Sequence, residues 1–218
     1  MAKGASGGRR GGTLTGGVNA GDINGTTNLL IDTDLDEMTR GEVTRTLKDF
    51  QDKYGLDYYN TRIADMKNGT GVLAYYDGEG IAINKEYLNS KTMNDAYKRC
   101  VESGFHPSNG SKSGMEAVVS HELGHGINGL IAESMGMSLD KSAERIVNEA
   151  MKNSGHKDTK TFQSKISGYA KYNHAETVAE AMADCYCNGR KASKESKAIQ
   201  KVVDKYMKNR PMKGQLSF

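Results

Sequence analysis

The sequence has no apolar run that approaches the length of a transmembrane helix, about 20 residues. Its start also lacks the apolar segment of a secretory signal peptide. Cysteine is scarce: the 3 cysteines include no Cys-x-x-Cys pair, which excludes a disulfide framework and a cysteine zinc finger. An excess of one charge is also missing, since 30 Lys and Arg face 27 Asp and Glu. This balance excludes a protein that mainly coats nucleic acid. We therefore expect a cytoplasmic chain in a reducing compartment, with no membrane partner.

Two parts of the chain differ in composition. Residues 1–28 are rich in glycine and nearly free of large apolar side chains, so they cannot offset the entropy cost of ordering. They are predicted to form a flexible tail. Residues 29–218 have the length and apolar content of one globular domain.

Apolar periodicity predicts a mostly helical domain with one small sheet. Helices are expected at residues 34–53, 91–103, 113–130, 138–153, 173–187 and 192–208. Strands are expected at residues 61–66, 71–76 and 81–84, and the last two form a hairpin around Asp77–Gly80. A small sheet followed by many helices makes the fold class α+β.

The pattern His-Glu-x-x-His, at His121, Glu122 and His125, is the segment that carries chemistry. A capping box of Ser113 and Glu116 precedes it, so the pattern belongs to a helix. Residues four apart share one helix face with Cβ atoms about 5–6 Å apart, a separation at which two imidazoles can bind one metal ion. Glu122 lies beside them and can act on a water at the metal.

Three glycines, Gly124, Gly126 and Gly129, fall within this helix. Each costs about 1 kcal/mol relative to alanine in a helix interior. We expect a bare backbone beside the metal to let another segment approach closely.

A catalytic zinc site needs a third protein ligand and an open position. A metzincin would place that ligand six residues after His125, where this chain has Ile131, so that class is excluded. The later helix provides Glu176 as the preferred ligand, with Glu180 one turn on as the acceptor for the far nitrogen of a ligand histidine. His174 is a rival ligand on a different face from Glu180.

Several of these residues also have an interpretation without metal chemistry. Asn173 and Glu176 form an acceptable N-terminal capping pair, and the acidic stripe that continues to Asp184 is compatible with a solvated helix face. His106 and His156 lie in segments rich in Gly, Ser and Asn, and both are expected at the surface.

The motifs resemble the gluzincin metallopeptidases, and more closely the catalytic domains of the anthrax lethal factor type, which include the bacterial Pro-Pro endopeptidases. That group shows His-Glu-x-Gly-His and, downstream, Tyr-x-x-x-Asn-x-x-Glu with a small and acidic run. This chain has His121–His125, Tyr169–Glu176 and then Ala179–Ala181. The resemblance covers about residues 113–187. It implies a zincin-like fold, one zinc ion per chain, and a role for Tyr169 in steadying the oxyanion.

The chain is also similar to zincin-type domains found beside phage head and tail genes. This likeness implies a virion-associated location as an alternative to the cytoplasm, with a phage particle or a host protein as partner. In zincins, an edge strand pairs with the extended substrate, and the resemblance assigns that strand to Ile81, Ala82 and Ile83 within Gly80–Asn84.

The sequence thus predicts a zinc-dependent peptidase acting on a peptide or protein substrate, with Glu122 as general base. An alternative is a virion or assembly protein that keeps the fold without proteolysis. A weaker alternative is a nucleic-acid accessory protein that works through the tail.

Overall fold

The predicted helices are all present in the computed structural model, which describes residues 17–20, 29–32, 35–56, 60–64, 71–76 and 80–210. They are α1 (Glu37–Tyr54), α2 (Ser90–Glu102), α3 (Gly114–Ser134), α4 (Leu139–Asn153), α6 (His174–Asn188) and α7 (Lys194–Lys208). A short helix that the periodicity did not predict, α5 (Thr159–Ser164), lies before α6. None of the helices in these ranges has the length and apolar character needed to span a membrane.

The sheet is larger than predicted. Its strands are β1 (Gly17–Ala20), β2 (Leu29–Asp32), β3 (Asn60–Ala64), β4 (Ala74–Tyr76) and β5 (Gly80–Asn84). They lie in the order β1-β2-β3-β5-β4. β2, β3 and β5 are parallel, whereas β1 and β4 are antiparallel to their neighbours. The predicted hairpin is therefore the pair β4 and β5, and the fold is α+β.

Part of the predicted tail belongs to this sheet. Residues 17–20 form β1, which pairs with β2. The other residues of 1–28 lie outside the described residues. The turn residues 77–79 also lie outside them.

Helix α3 is the centre of the domain. It begins at the predicted capping box, in which Ser113 Oγ accepts from the Glu116 N–H and Glu116 Oε2 accepts from the Ser113 N–H. Almost its whole circumference is buried, by α1, α2, α4 and α6 and by β4 and β5. A helix that is enclosed in this way holds its side chains in a rigid, water-poor setting.

Helix α6 approaches α3 closely at Gly124. A Cβ atom at this position would lie 2.8 Å from the Ala179 Cα and 3.3 Å from the Met182 Cβ. The expected close approach is thus present at Gly124. At Gly129 a Cβ would meet only the Leu139 Cδ2, at an ordinary 3.7 Å.

We predict that Gly124→Ala destabilises the protein by about 1–3 kcal/mol, because the new methyl group must push α3 and α6 apart. The matched control, Gly129→Ala, should be neutral or stabilising by up to about 1 kcal/mol, because it relieves the helix-propensity cost without a clash. Chemical denaturation of both variants measures the difference. Equal stability of the two variants would contradict the packing at Gly124.

Candidate metal centre

The two histidines of the motif lie one turn apart on α3, with ring centroids 5.0 Å apart. Glu176 reaches them from the first turn of α6, the helix that contacts α3 at Gly124. Asn173 caps α6 by accepting the Glu176 N–H at 2.8 Å, as the capping interpretation expected. The Glu176 side chain is directed at the histidines instead, so the cap and the cluster coexist.

Three ligand atoms meet at this point. Glu176 Oε2 lies 3.2 Å from His121 Nε2 and 3.4 Å from His125 Nε2, and one ligand atom from each residue lies within 4.8 Å of the other two. These three residues, His121, His125 and Glu176, could hold a metal ion, and we call them the metal group. His174, the rival ligand, is not a member of the group that the described residues form.

The geometry fits a tetrahedral cation. Ligand atoms at about 2.0–2.1 Å from one tetrahedral ion lie about 3.3 Å apart, which agrees with the two observed separations. Glu176 Oε2 is buried and has no hydrogen-bond partner among the described residues. A buried carboxylate oxygen without a donor is costly, and a cation between the three atoms would satisfy it.

A second carboxylate orients His121 from the opposite side. The His121 Nδ1 lies 2.7 Å from Glu180 Oε1, and the Glu180 side chain is only 1% exposed. Nδ1 is thereby engaged by Glu180, and Nε2 faces Glu176 and His125, where it could bind a metal ion. The hydrogen bond that the sequence assigned to Glu180 is therefore present, with His121 as the donor. Ser167 Oγ donates to the other oxygen, Oε2, at 2.6 Å.

Burial and opposite charge act against each other on these groups. Burial alone would raise the pKa of Glu176, but His121 and His125 outweigh it and hold that pKa well below its usual range. Glu180 follows the same pattern, because hydrogen bonds from His106 and His121 outweigh burial and lower its pKa to about 2. Both carboxylates are therefore anionic at neutral pH.

Glu122 has the opposite behaviour. It is buried, and the pKa of its carboxyl is raised, chiefly by burial. The charges of His121 and His125 oppose this shift, and so does a hydrogen bond from the Tyr76 backbone N–H of β4, which connects the carboxylate to the sheet. Glu122 thus lies next to both histidines as a carboxylate more basic than an exposed glutamate.

Tyr169 forms the wall of the site next to His121. Its ring stacks on the His121 ring at 5.8 Å between centroids, and Phe105 stacks on it at 4.8 Å. Burial and the nearby carboxylates of Glu176 and Glu122 raise the pKa of the Tyr169 phenol above its usual range. The phenol is therefore a hydrogen-bond donor at neutral pH.

The assignment of the substrate strand from the resemblance is wrong in position. Ile81, Ala82 and Ile83 are fully buried in β5, which pairs with β3 on one side and β4 on the other. They lie inside the sheet because both ladders are occupied. The edge of the described sheet next to the metal group is β4, whose Tyr76 contacts Glu122.

His106 was predicted at the surface, and this is also wrong. Its side chain is only 13% exposed, and its Nδ1 lies 2.9 Å from the Glu180 Oε1 that also binds His121. His156 is 24% exposed and lies 2.9 Å from Glu195, far along the chain from the motif. No local pattern marks His106, because its partners come from α6 and its neighbours from α2 and α3.

The third member of the acidic stripe has a structural role. Asp184 accepts hydrogen bonds from the Asn188 side chain at 2.8 Å and from the Ser193 N–H at 3.0 Å. It thereby connects α6 to the start of α7. The buried thiols of Cys185 and Cys187, whose pKa values burial raises to about 12, are not members of the metal group.

Comparisons of this chain with protein-family models, with curated proteins and with solved structures gave no match. The chemistry of the metal group is therefore the basis for the functional conclusion.

We predict that the purified protein binds one divalent metal ion per chain and that a chelator removes it. His121→Ala and His125→Ala should abolish binding, and Glu176→Gln should weaken it markedly, because an amide oxygen carries no charge. His174→Ala is the control and should retain the metal. Elemental analysis after gel filtration measures the stoichiometry, and loss in His174→Ala with retention in Glu176→Gln would contradict the ligand set.

Proposed function

We propose that the chain is a zinc-dependent peptidase of the gluzincin class with a zincin-like fold, acting on a peptide or protein substrate. The observation that carries the proposal is the buried carboxylate of Glu122, which lies on α3 beside the group of His121, His125 and Glu176. Holding a metal requires only the group itself. A general base next to it is what hydrolysis requires.

The donor set favours zinc. Two imidazole nitrogens and one carboxylate oxygen are the ligands of catalytic zinc sites, which keep a fourth position for water or substrate. Structural zinc sites are instead closed by four protein ligands. A zinc ion bound here would supply a Lewis acid that acidifies water and polarises a carbonyl.

Glu122 then handles the protons. Its carboxylate would accept a proton from the attacking water and deliver it to the leaving amine. Burial supports this role, because it raises the pKa of Glu122 and makes its carboxylate a stronger base. The hydrogen bond from the Tyr76 N–H holds the carboxylate in place between the sheet and the histidines.

Tyr169 would donate a hydrogen bond to the oxyanion that forms when water attacks the carbonyl. Its phenol is held by the stack between Phe105 and His121 and remains protonated. A donor that is fixed beside the metal ligands could stabilise this charge with little reorganisation.

Strand β4 offers an edge to which the substrate backbone could bind. It is one of the two edge strands of the described sheet and reaches Glu122 through Tyr76. An extended peptide that added to this edge as a further strand would lie beside the general base. The metal group is reachable from solvent, since the His125 and Glu176 side chains are 22% and 14% exposed. A phage particle or a host protein as partner stays a prediction of the resemblance.

We expect Glu122→Gln to keep the metal and the fold while losing nearly all hydrolysis, because the amide fills the same space but cannot accept the proton. Mapping new peptide N-termini in a lysate treated with wild type or variant measures the cleavage. Equal numbers of new termini from both proteins would contradict the role of Glu122.

Tyr169→Phe should lower kcat by about 10²- to 10³-fold with little change in KM, because only the oxyanion donor is lost. Metal content and melting temperature should stay near those of wild type. Tyr172→Phe is the matched control, since Tyr172 is 56% exposed and its ring centroid lies 6.1 Å from that of Tyr169. An unimpaired kcat in Tyr169→Phe would remove this residue from the mechanism.

A further inference from the structure

His106 shares the buried carboxylate of Glu180 with the ligand His121. We propose that His106 is a positioning residue, which fixes Glu180 and thereby the orientation of the His121 imidazole toward the metal. The inference rests on the metal centre of the proposed function. It does not require that the chain hydrolyses peptides.

The Glu180 carboxylate accepts three hydrogen bonds. Oε1 receives His106 Nδ1 at 2.9 Å and His121 Nδ1 at 2.7 Å, and Oε2 receives Ser167 Oγ at 2.6 Å. A buried carboxylate needs several donors, and each lost donor leaves part of the charge unsatisfied. Without His106, Oε1 would have His121 as its donor, and rotation of the carboxylate would move the ligand ring.

The His106 ring is itself held on several sides. It stacks on the buried Tyr97 ring with centroids 5.3 Å apart and planes 4° apart, and Tyr97 donates its hydroxyl to the Pro107 carbonyl. The Phe105 and Tyr169 rings meet it edge to face. A ring locked in this way can serve as a fixed reference for Glu180.

Backbone contacts fix the loop that carries His106. The N–H groups of Gly168 and Tyr169 donate to the carbonyls of Gly104 and Phe105 at 2.8 and 2.9 Å. A Cβ on Gly168 would lie 2.9 Å from the Gly104 oxygen, so this contact needs glycine. The loop before α3 and the segment before α6 are therefore one unit, with His106 and Ser167 directed at the same carboxylate.

His106 acts through Glu180 rather than on the metal. Its Nδ1 is engaged by Glu180, and its ring centroid lies 6.0 Å from that of His121. The group of ligand atoms that meet within 4.8 Å consists of His121, His125 and Glu176. Metal affinity typically falls by about 10- to 100-fold when the carboxylate that holds a ligand histidine is disturbed.

Two substitutions separate the hydrogen bond from the ring. His106→Phe keeps a ring that can stack on Tyr97 but loses the donor. His106→Asn loses the ring but keeps an N–H donor, because its amide nitrogen and the histidine Nδ1 are both bonded to Cγ. His156→Phe is the matched control, since it removes a histidine–glutamate hydrogen bond of the same 2.9 Å length, to Glu195, outside the site.

The experiment measures zinc affinity of the full chain by competition with a chromophoric chelator. The visible spectrum of the cobalt(II)-substituted protein reports ligand geometry, and the melting temperature of the metal-free protein reports stability. We expect His106→Phe to bind zinc about 10- to 100-fold more weakly and to alter the cobalt spectrum. His106→Asn should stay within about threefold of wild type, because it retains the donor. His156→Phe should match wild type in both metal readouts.

The inference is overturned if His106→Phe keeps wild-type zinc affinity and cobalt spectrum. It is also overturned if both His106 variants lose affinity equally, because the donor would then not matter. A wild-type chain that binds zinc, depends on His106 in this way and cleaves nothing would overturn the proposed function and leave this inference standing. A wild-type chain that binds no zinc would overturn both.

Discussion

The contact of α3 with α6 at Gly124 and Ala179 is the constraint on which the site depends. The Gly124 position leaves no room for a side chain, since a Cβ would come within 2.8 Å of the Ala179 backbone. At this distance, Glu176 on one side of Ala179 and Glu180 on the other both reach α3. The first meets the Nε2 atoms of the two histidines, and the second meets the Nδ1 of His121. One backbone contact thus sets both the ligands and their support.

Two buried carboxylates, Glu180 and Glu176, lie around this contact, and their charges are compensated in different ways. Glu180 is surrounded by protein donors from the loop before α3, from α3 and from the segment before α6, which compensate its charge without a metal. Glu176 has an oxygen without a hydrogen-bond partner among the described residues and faces two imidazole nitrogens. Glu180 is therefore suited to support the histidines, and Glu176 is suited to bind a cation. Glu122, whose pKa burial raises, is the carboxylate to which the proposed function gives the proton transfer.

Sequence patterns predicted the features that depend on local spacing. Helical periodicity located α1, α3 and α6, and the His-Glu-x-x-His motif with the later Glu176 identified the residues that the structure brings together. Local spacing could not predict contacts between residues that are far apart in the chain. The resemblance assigned the role of substrate-binding edge strand to β5, but β3 and β4 occupy both of its sides. His106 looked like a surface residue because Glu180 and Tyr169, which help to enclose it, are distant in sequence.

X-ray absorption at the zinc edge of the purified protein tests the central claim, that one zinc ion is held between α3 and α6 by two histidines and one carboxylate. We expect a shell of nitrogen and oxygen atoms at about 2.0–2.1 Å, with the scattering pattern of two imidazoles and no sulfur. A sulfur shell at about 2.3 Å, which would place the metal on the buried cysteines of α6, would contradict it. So would the absence of zinc from the folded protein after expression with zinc.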